Sequence, residues 1–370
     1  MSSTEERLEE LLERELVQKR CDMHAHSSYS SDVPDVPSQQ PLPRLIAALE
    51  RGMYYFVLTD HDTLAGYSHL TEELSQMGEL GRLARERVIS GVEVSCRCAE
   101  VGGELHSNVF GLDEHQLKHI DGFRDSTGLV RLEKMIPYLD AEGLVFGLNH
   151  PLWQPPHNNI TLFKVLRGVL TTLINGRVRN GEEMSKKIVE NLYGYQSQEH
   201  MERVYKGTLE VAGQFSLIEV NGSRVSVMND LAEGIAAQVG VPMSGGSDDH
   251  YGEALGLCHT IAEADDRWEF LEKLEKGNSS VVRKDTDFAN SCMRFVNFIR
   301  LTAESDSIDE VVCSLFGAEL GRFPLFIAPR FIRLMYRSLN NQNAKAQRAV
   351  EIMASSYLKA QSFNPSREIV

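Results

Sequence analysis

Seven apolar stretches in this chain each lead directly into residue types that bind metal ions. In order they are Asp22-Met23-His24-Ala25-His26 with Asp32 beyond it, Thr59-Asp60-His61-Asp62, Gly91-Val92-Glu93, Leu105-His106, Asn149-His150-Pro151, Glu219-Val220-Asn221 and Ser247-Asp248-Asp249-His250. Imidazoles and carboxylates without thiolates suit zinc, manganese or iron better than a soft metal or a cysteine-based structural site. Donors spread over most of a chain serve one centre only in a fold that brings the ends of its apolar segments together.

The spacers between these pieces set the fold class. From Cys21 to about Gly277, apolar runs at 55–58, 88–89, 108–110, 144–146, 217–218 and 241–243, with the run into His24, alternate with helix-like segments at 42–51, 71–87, 129–142 and 229–239. Gly52, Gly143 and Gly240 stand where a left-handed residue closes a helix, and Asn229 where a side chain caps a helix start. Alternating strands and helices predict an α/β fold with a parallel sheet. Ligands at the C-terminal ends of such strands converge when the sheet closes, because every strand then points the same way. Seven strands predict a TIM-like barrel one strand short of the eightfold form.

Two segments exceed what that barrel needs. More than sixty residues separate His150 from the run at 217–218, whereas a strand-to-helix connection with its helix takes far fewer. Helix-like stretches at 162–175 and 182–192 predict a helical insertion over about 153–214, and its start at the ligand face predicts a cap. Residues 288–370 read as a helical C-terminal extension. There Pro329 opens a helix carrying Arg330, Arg333 and Arg337 on one face. Such a basic amphipathic helix suits an anionic membrane surface, a partner, or docking on the acidic remainder within the molecule or across a homo-oligomer, and docking is the expectation.

Residues 1–20 are acidic and helix-forming, unlike a secretory leader. No stretch approaches the roughly 20 apolar residues of a membrane span, so a cytoplasmic protein is expected. The formal charge of -15 argues against binding long nucleic acid, whose phosphates call for a basic surface. It leaves room for a nucleotide or short oligonucleotide, because metal cations offset the repulsion locally. The six cysteines lack zinc-finger spacing and read as small buried hydrophobes.

The pieces, their order and their residue types resemble the polymerase and histidinol phosphatase (PHP) family of metal-dependent phosphoesterases, over roughly the first three quarters of the chain. The resemblance makes His24, His26, Asp32, His61, Glu93, His106, His150, Asp248 and His250 the metal ligands. It implies a distorted (β/α)7 barrel over 21–287, holding two or three divalent ions of manganese, zinc or iron. On the family pattern His24, His26, Glu93 and Asp248 hold one ion, and Glu93 bridges to a second on His106 and His150. Asp32, His61 and His250 hold a third. A carboxylate can bridge because it has two oxygens. The implied reaction is hydrolysis of a small phosphomonoester, a nucleotide or nucleoside bisphosphate first, by a metal-bridged hydroxide. The alternatives are a histidinol-phosphatase-like enzyme, a 3'-5' exonuclease on short oligonucleotides, and a non-catalytic module that metals only stabilise.

Asp22, Asp60 and Asn149 are candidates for assisting or orienting the ligands, as are Thr59 and Asp62. Asp22 and Asp60 fit equally well as acceptors for strand-end amides. Arg224 and Arg97 are candidates for gripping the phosphate, with Asn221 beside Arg224, the alternative being that either arginine pairs with surface carboxylates. His69, His115, His119, His157, His200 and His259 are expected outside the site, with His157 nearest to it in sequence.

Overall fold

The computed structural model describes residues 4–14, 18–152, 198–224 and 226–286. The chain divides into two compact units, Met1–Gln154 with Arg203–Asp285, and Pro155–Glu202 with Thr286–Val370. The described strands all lie in the first unit: β1 (Lys19–Asp22), β2 (Tyr55–Val57), β3 (Val88–Ile89), β4 (Gly91–Cys98), β5 (Gly103–Phe110), β6 (Val130–Arg131), β7 (Val145–Leu148), β8 (Leu217–Asn221), β9 (Met243–Gly246), β10 (His259–Ala262) and β11 (Ser280–Val282). With the helices between them they make a mixed α/β fold of two sheets, in the orders β11-β10-β1-β2-β3 and β6-β4-β5-β7-β8-β9.

The runs β1-β2-β3 and β7-β8-β9 are parallel, as alternation of strand and helix predicts. Strand β5 departs from that expectation and runs antiparallel to both β4 and β7. The cause is connection length. Only residues 99–102 separate β4 from β5, closed by a hydrogen bond from Gly102 N to Cys98 O of 3.1 Å, whereas a parallel return needs about a dozen residues or more. His106 therefore reaches the site from within its strand and not from a strand end.

No closed sheet runs through the described strands. The two sheets meet instead at isolated bridges between Ala25 and Asp249 and between His61 and Glu93. Backbone amides reinforce both seams: Met23 N donates to Gly245 O (3.1 Å), Asp248 N to His24 O (2.8 Å) and Asp62 N to Glu93 O (2.9 Å). The motif residues are thus the places where the sheets join.

Helices Pro41–Glu50, Leu132–Glu142 and Ser226–Val239 lie near their predicted positions, and Gly52, Gly143 and Gly240 follow them with φ of 80°, 66° and 72°. The stretch predicted as one helix over 71–87 is two, Ala65–Ser75 and Gly78–Glu86, broken at Gly78 with φ 60°. Asn229 lies inside its helix and does not cap it. Its amide brackets the Asn221 peptide, accepting from Asn221 N and donating to Asn221 O, both at 2.9 Å.

The insertion predicted over 153–214 ends earlier than expected. In helix Gln198–Ala212 the side chains of Val204, Val211 and Ala212 are buried in one core with Phe146 and Ile218. Burial in that core makes the segment part of the scaffold and not of a cap. The rest of the insertion with His157, and the extension over 288–370 with Arg330, Arg333 and Arg337, lie outside the described residues. Cys21, Cys96, Cys98 and Cys258 are buried and free, as expected of small hydrophobes. Among the described residues no helix is long and apolar enough to cross a membrane.

Candidate metal centre

Glu93, on β4, is the hub of the site and is 1% exposed. Its two oxygens face different imidazoles. Oε1 lies 3.0 Å from His106 Nδ1 and 3.1 Å from His150 Nε2. Oε2 lies 3.0 Å from His24 Nε2, 3.3 Å from His26 Nε2 and 3.4 Å from His61 Nδ1. Asp248 Oδ1 completes the second side, 3.6 Å from His24 Nε2 and 3.5 Å from His26 Nε2. Asp32 Oδ2 holds the outer edge, 2.8 Å from His250 Nε2 and 3.3 Å from His61 Nε2.

Three groups of these side chains have donor atoms close enough to share an ion: His24, His26, Glu93 and Asp248; His61, Glu93 and His106; and His26, Asp32, His61 and His250. The first is the set the sequence predicts. The other two share His61 and His26 more widely than predicted, and His150 joins through its contact with Glu93 Oε1.

The donor set fits a cation on two observations. His24 Nε2 and His26 Nε2 face one another at 3.1 Å, and two imidazole nitrogens that close repel unless a proton or a cation lies between them. His61 Nδ1 is buried and makes no hydrogen bond, as a nitrogen reserved for a metal would be. Backbone strain gathers here as well: His150 and Asp248, both predicted ligands, and Asp62, next to His61, have φ of 26°, 52° and 55°. Such conformations persist where the surroundings over-determine them.

The charged groups of the cluster shift one another's proton affinity. Burial pulls His106 down, but the adjacent Glu93 and Glu104 carboxylates outweigh it and lift the imidazole to about 10. His250 rises against burial to about 9, through Asp32. His150 falls to about 4, because burial and the Arg224 guanidinium outweigh Glu93. Burial raises the carboxyls of Glu93, Asp32 and Asp248, yet the facing imidazoles hold all three well below their usual range.

A ligand imidazole must be neutral. Metal uptake at pH 7 is therefore expected to release protons from His24, His61, His106 and His250, all held above their ordinary value, and none from His150. Affinity should rise with pH up to the 9–10 range of His106 and His250. Calorimetry in two buffers of different ionisation enthalpy counts the protons, and a count of zero would contradict the assignment.

A family model described as PHP-associated matches residues 228–279, the segment that carries Asp248 and His250. Over that segment the chain is similar to the PHP family. No curated protein gives a significant match. Among solved structures, PsfC from Pseudomonas syringae is 16% identical, covering 78% of this chain and 99% of that one, with a TM-score of 0.45. A two-domain protein from Bacteroides vulgatus containing a predicted PHP-like metal-dependent phosphoesterase is 15% identical, covering 77% and 70%, at 0.44. A lesion-specific endonuclease from Pyrococcus furiosus is 15% identical, covering 71% and 57%, at 0.41.

Around these ligands, the remaining candidates divide. Asp22 is buried behind His24 and accepts three amides, His24 N (3.2 Å), Ser247 N (2.8 Å) and Gly256 N (2.6 Å). Asp60 accepts Ser27 N at 2.6 Å and the Ser27 hydroxyl at 2.7 Å. Both carboxylates spend these hydrogen bonds on backbone amides and a hydroxyl and not on the ligand imidazoles. Asn149 does reach it, donating from Nδ2 to Glu93 Oε1 at 2.9 Å while Oδ1 accepts Asn108 N.

Of the substrate-binding candidates, only Arg224 reaches the cluster, with Nη2 3.2 Å from Asp248 Oδ2. Arg97 is drawn off to Asp125 (2.7 Å) and Thr127 (2.6 Å), the surface pairing. Asn221 is wholly buried, donating to Glu219 and accepting from Ser223.

Two carboxylates of the site were not assigned from sequence. Glu219 Oε1 accepts from His24 Nδ1 at 2.7 Å and Oε2 from His150 N at 2.7 Å. That fixes the His24 tautomer with Nε2 turned towards Glu93. Gly246 makes room for this pair, since a Cβ there would collide with His24 and stand 2.6 Å from Glu219 Oε1. Glu104 does the same for His106, at 3.0 Å from Nε2. The alternation of β8 and β5 carried the signal: Glu219 and Glu104 are each two residues from a polar site residue, Asn221 and His106, and so share its face.

Proposed function

We propose that this protein is a metal-dependent phosphoesterase that hydrolyses a small phosphomonoester, of the nucleotide or nucleoside bisphosphate class, at a centre of two or three divalent ions. The observation that carries the reading is the division of Glu93, with His106 and His150 on one oxygen and His24, His26 and His61 on the other. Ions held there supply Lewis acidity for a phosphate and lower the pKa of water to about 7. Glu219 and Glu104 orient the imidazoles, Asn149 holds Glu93, and Arg224 stands beside Asp248 to take a phosphate oxygen. The overall charge of -15 favours a small substrate over a long polyanion. The order β9-β1-β2-β4-β5-β7-β8, with its two bridged seams, supports the seven-stranded barrel reading.

Purified protein supplied separately with manganese and zinc should release phosphate from phosphomonoesters. Turnover of short oligonucleotides alone would favour the exonuclease, and no turnover with any metal would favour a binding module. Arg224→Ala should lower kcat/KM by roughly 10- to 100-fold, the worth of a charge-assisted hydrogen bond, without reducing metal content. An unchanged kcat/KM would remove Arg224 from the phosphate site.

A further inference from the structure

We propose that Arg44 and Arg51 form a positioning clamp that fixes the metal ligands Asp248 and His250 in place. The two arginines lie two turns apart, on helix Pro41–Glu50 and just past its end, and so on one side of it. Both reach the loop after β9. The Arg44 guanidinium, 1% exposed, donates from Nη1 to Asp249 Oδ2 at 2.6 Å and from Nη2 to Asp249 O at 2.9 Å. Arg51 donates from Nη1 to Leu255 O (2.5 Å) and Glu253 O (3.2 Å), and from Nη2 to Gly252 O (2.7 Å).

Asp249 relays this grip. Its carboxylate also accepts Gly252 N and Ala254 N, each at 2.8 Å, and its carbonyl accepts His26 N at 3.1 Å. It stands in sequence between two ligands that serve different groups, Asp248 with His24, His26 and Glu93, and His250 with His26, Asp32 and His61. One fixed residue thereby sets the spacing of two groups. Asp248 is also held at φ 52°, a left-handed conformation that needs external support.

A purely structural reason for Arg44 is weak. Its buried Nε makes no hydrogen bond, and a buried ion pair is often no more stabilising than apolar side chains of like volume. What the guanidinium adds is a fork that reads a carboxylate and a carbonyl of the same residue at fixed angles. Lysine cannot reproduce that geometry.

The inference rests on the metal-centre reading and is tested by metal binding. Arg44→Lys and Arg51→Ala are titrated with Co2+ against a chelator, and the absorption of the bound Co2+ is recorded. The control is Arg267→Lys, whose guanidinium bonds two carbonyls outside the motif loops, Arg85 O (2.7 Å) and Val88 O (2.6 Å). The clamp variants should bind Co2+ roughly 10-fold more weakly or worse, the scale of losing an outer partner of a metal site, with an altered spectrum. The control should keep the parental affinity and spectrum. Parental affinity and spectrum in both clamp variants would overturn the clamp. Should Arg44→Lys fail to fold, Arg51→Ala, which lies at the surface, decides alone. A parent that binds no Co2+ would overturn the metal centre itself, and the clamp with it.

Discussion

Glu93→Gln is expected to lose more than one equivalent of bound metal and more than roughly 100-fold of the proposed phosphoesterase activity while remaining folded. Losing an outer partner of a metal ligand costs about 10- to 100-fold, and Glu93 faces five imidazoles directly. An amide keeps the shape but offers one weaker acceptor in place of two anionic oxygens. The fold survives because Val92, Val94 and Cys96 of the same strand pack into a core that does not depend on the site. Elemental analysis and circular dichroism of variant and parent check both halves. Full metal content in the variant would end the bridging assignment.

Asp22→Ala is expected to act on stability first. Three buried amides lose their acceptor at once, and each orphaned donor costs about 1–3 kcal/mol. At about 2–4 °C per kcal/mol for a unit of this size, the melting temperature should fall by on the order of 10 °C. Because two of those amides, Ser247 N and Gly256 N, flank the loop of Asp248 and His250, metal affinity should weaken in parallel. Loss of activity at unchanged melting temperature and full metal content would show instead that Asp22 acts in the chemistry.

The residues of the cluster were legible because most of them stand at the end of an apolar run or just after it, Asp32 and His106 being the exceptions. The glycines closing three helices were legible because a left-handed position has few alternatives. The direction of β5 was not read, although the four residues between Cys98 and Gly103 exclude a parallel return. Apolar runs alone marked 88–89, which is β3, and 108–110, the end of β5, whereas the polar-bearing β4 and the first part of β5, which make the hairpin, were invisible to that criterion.

Side-chain partnerships across long sequence distances were the least legible. Nothing near Asn221 distinguishes a residue that meets substrate from one that braces Glu219. Nothing near Arg97 says that Asp125 and Thr127 will take its guanidinium. Arg44 reads as the polar position of an amphipathic helix until Asp249 is brought against it. In each case the answer depends on which oxygen the fold delivers to the side chain, and 205 residues separate Arg44 from its partner.

The central claim is that Glu93 joins two ions through its separate oxygens. Electron paramagnetic resonance of the protein loaded with Mn2+ tests it most directly. Two ions sharing one carboxylate should give an exchange-coupled spectrum that collapses to isolated-ion signals in Glu93→Gln. Isolated Mn2+ signals at every loading of the parent protein would contradict the account.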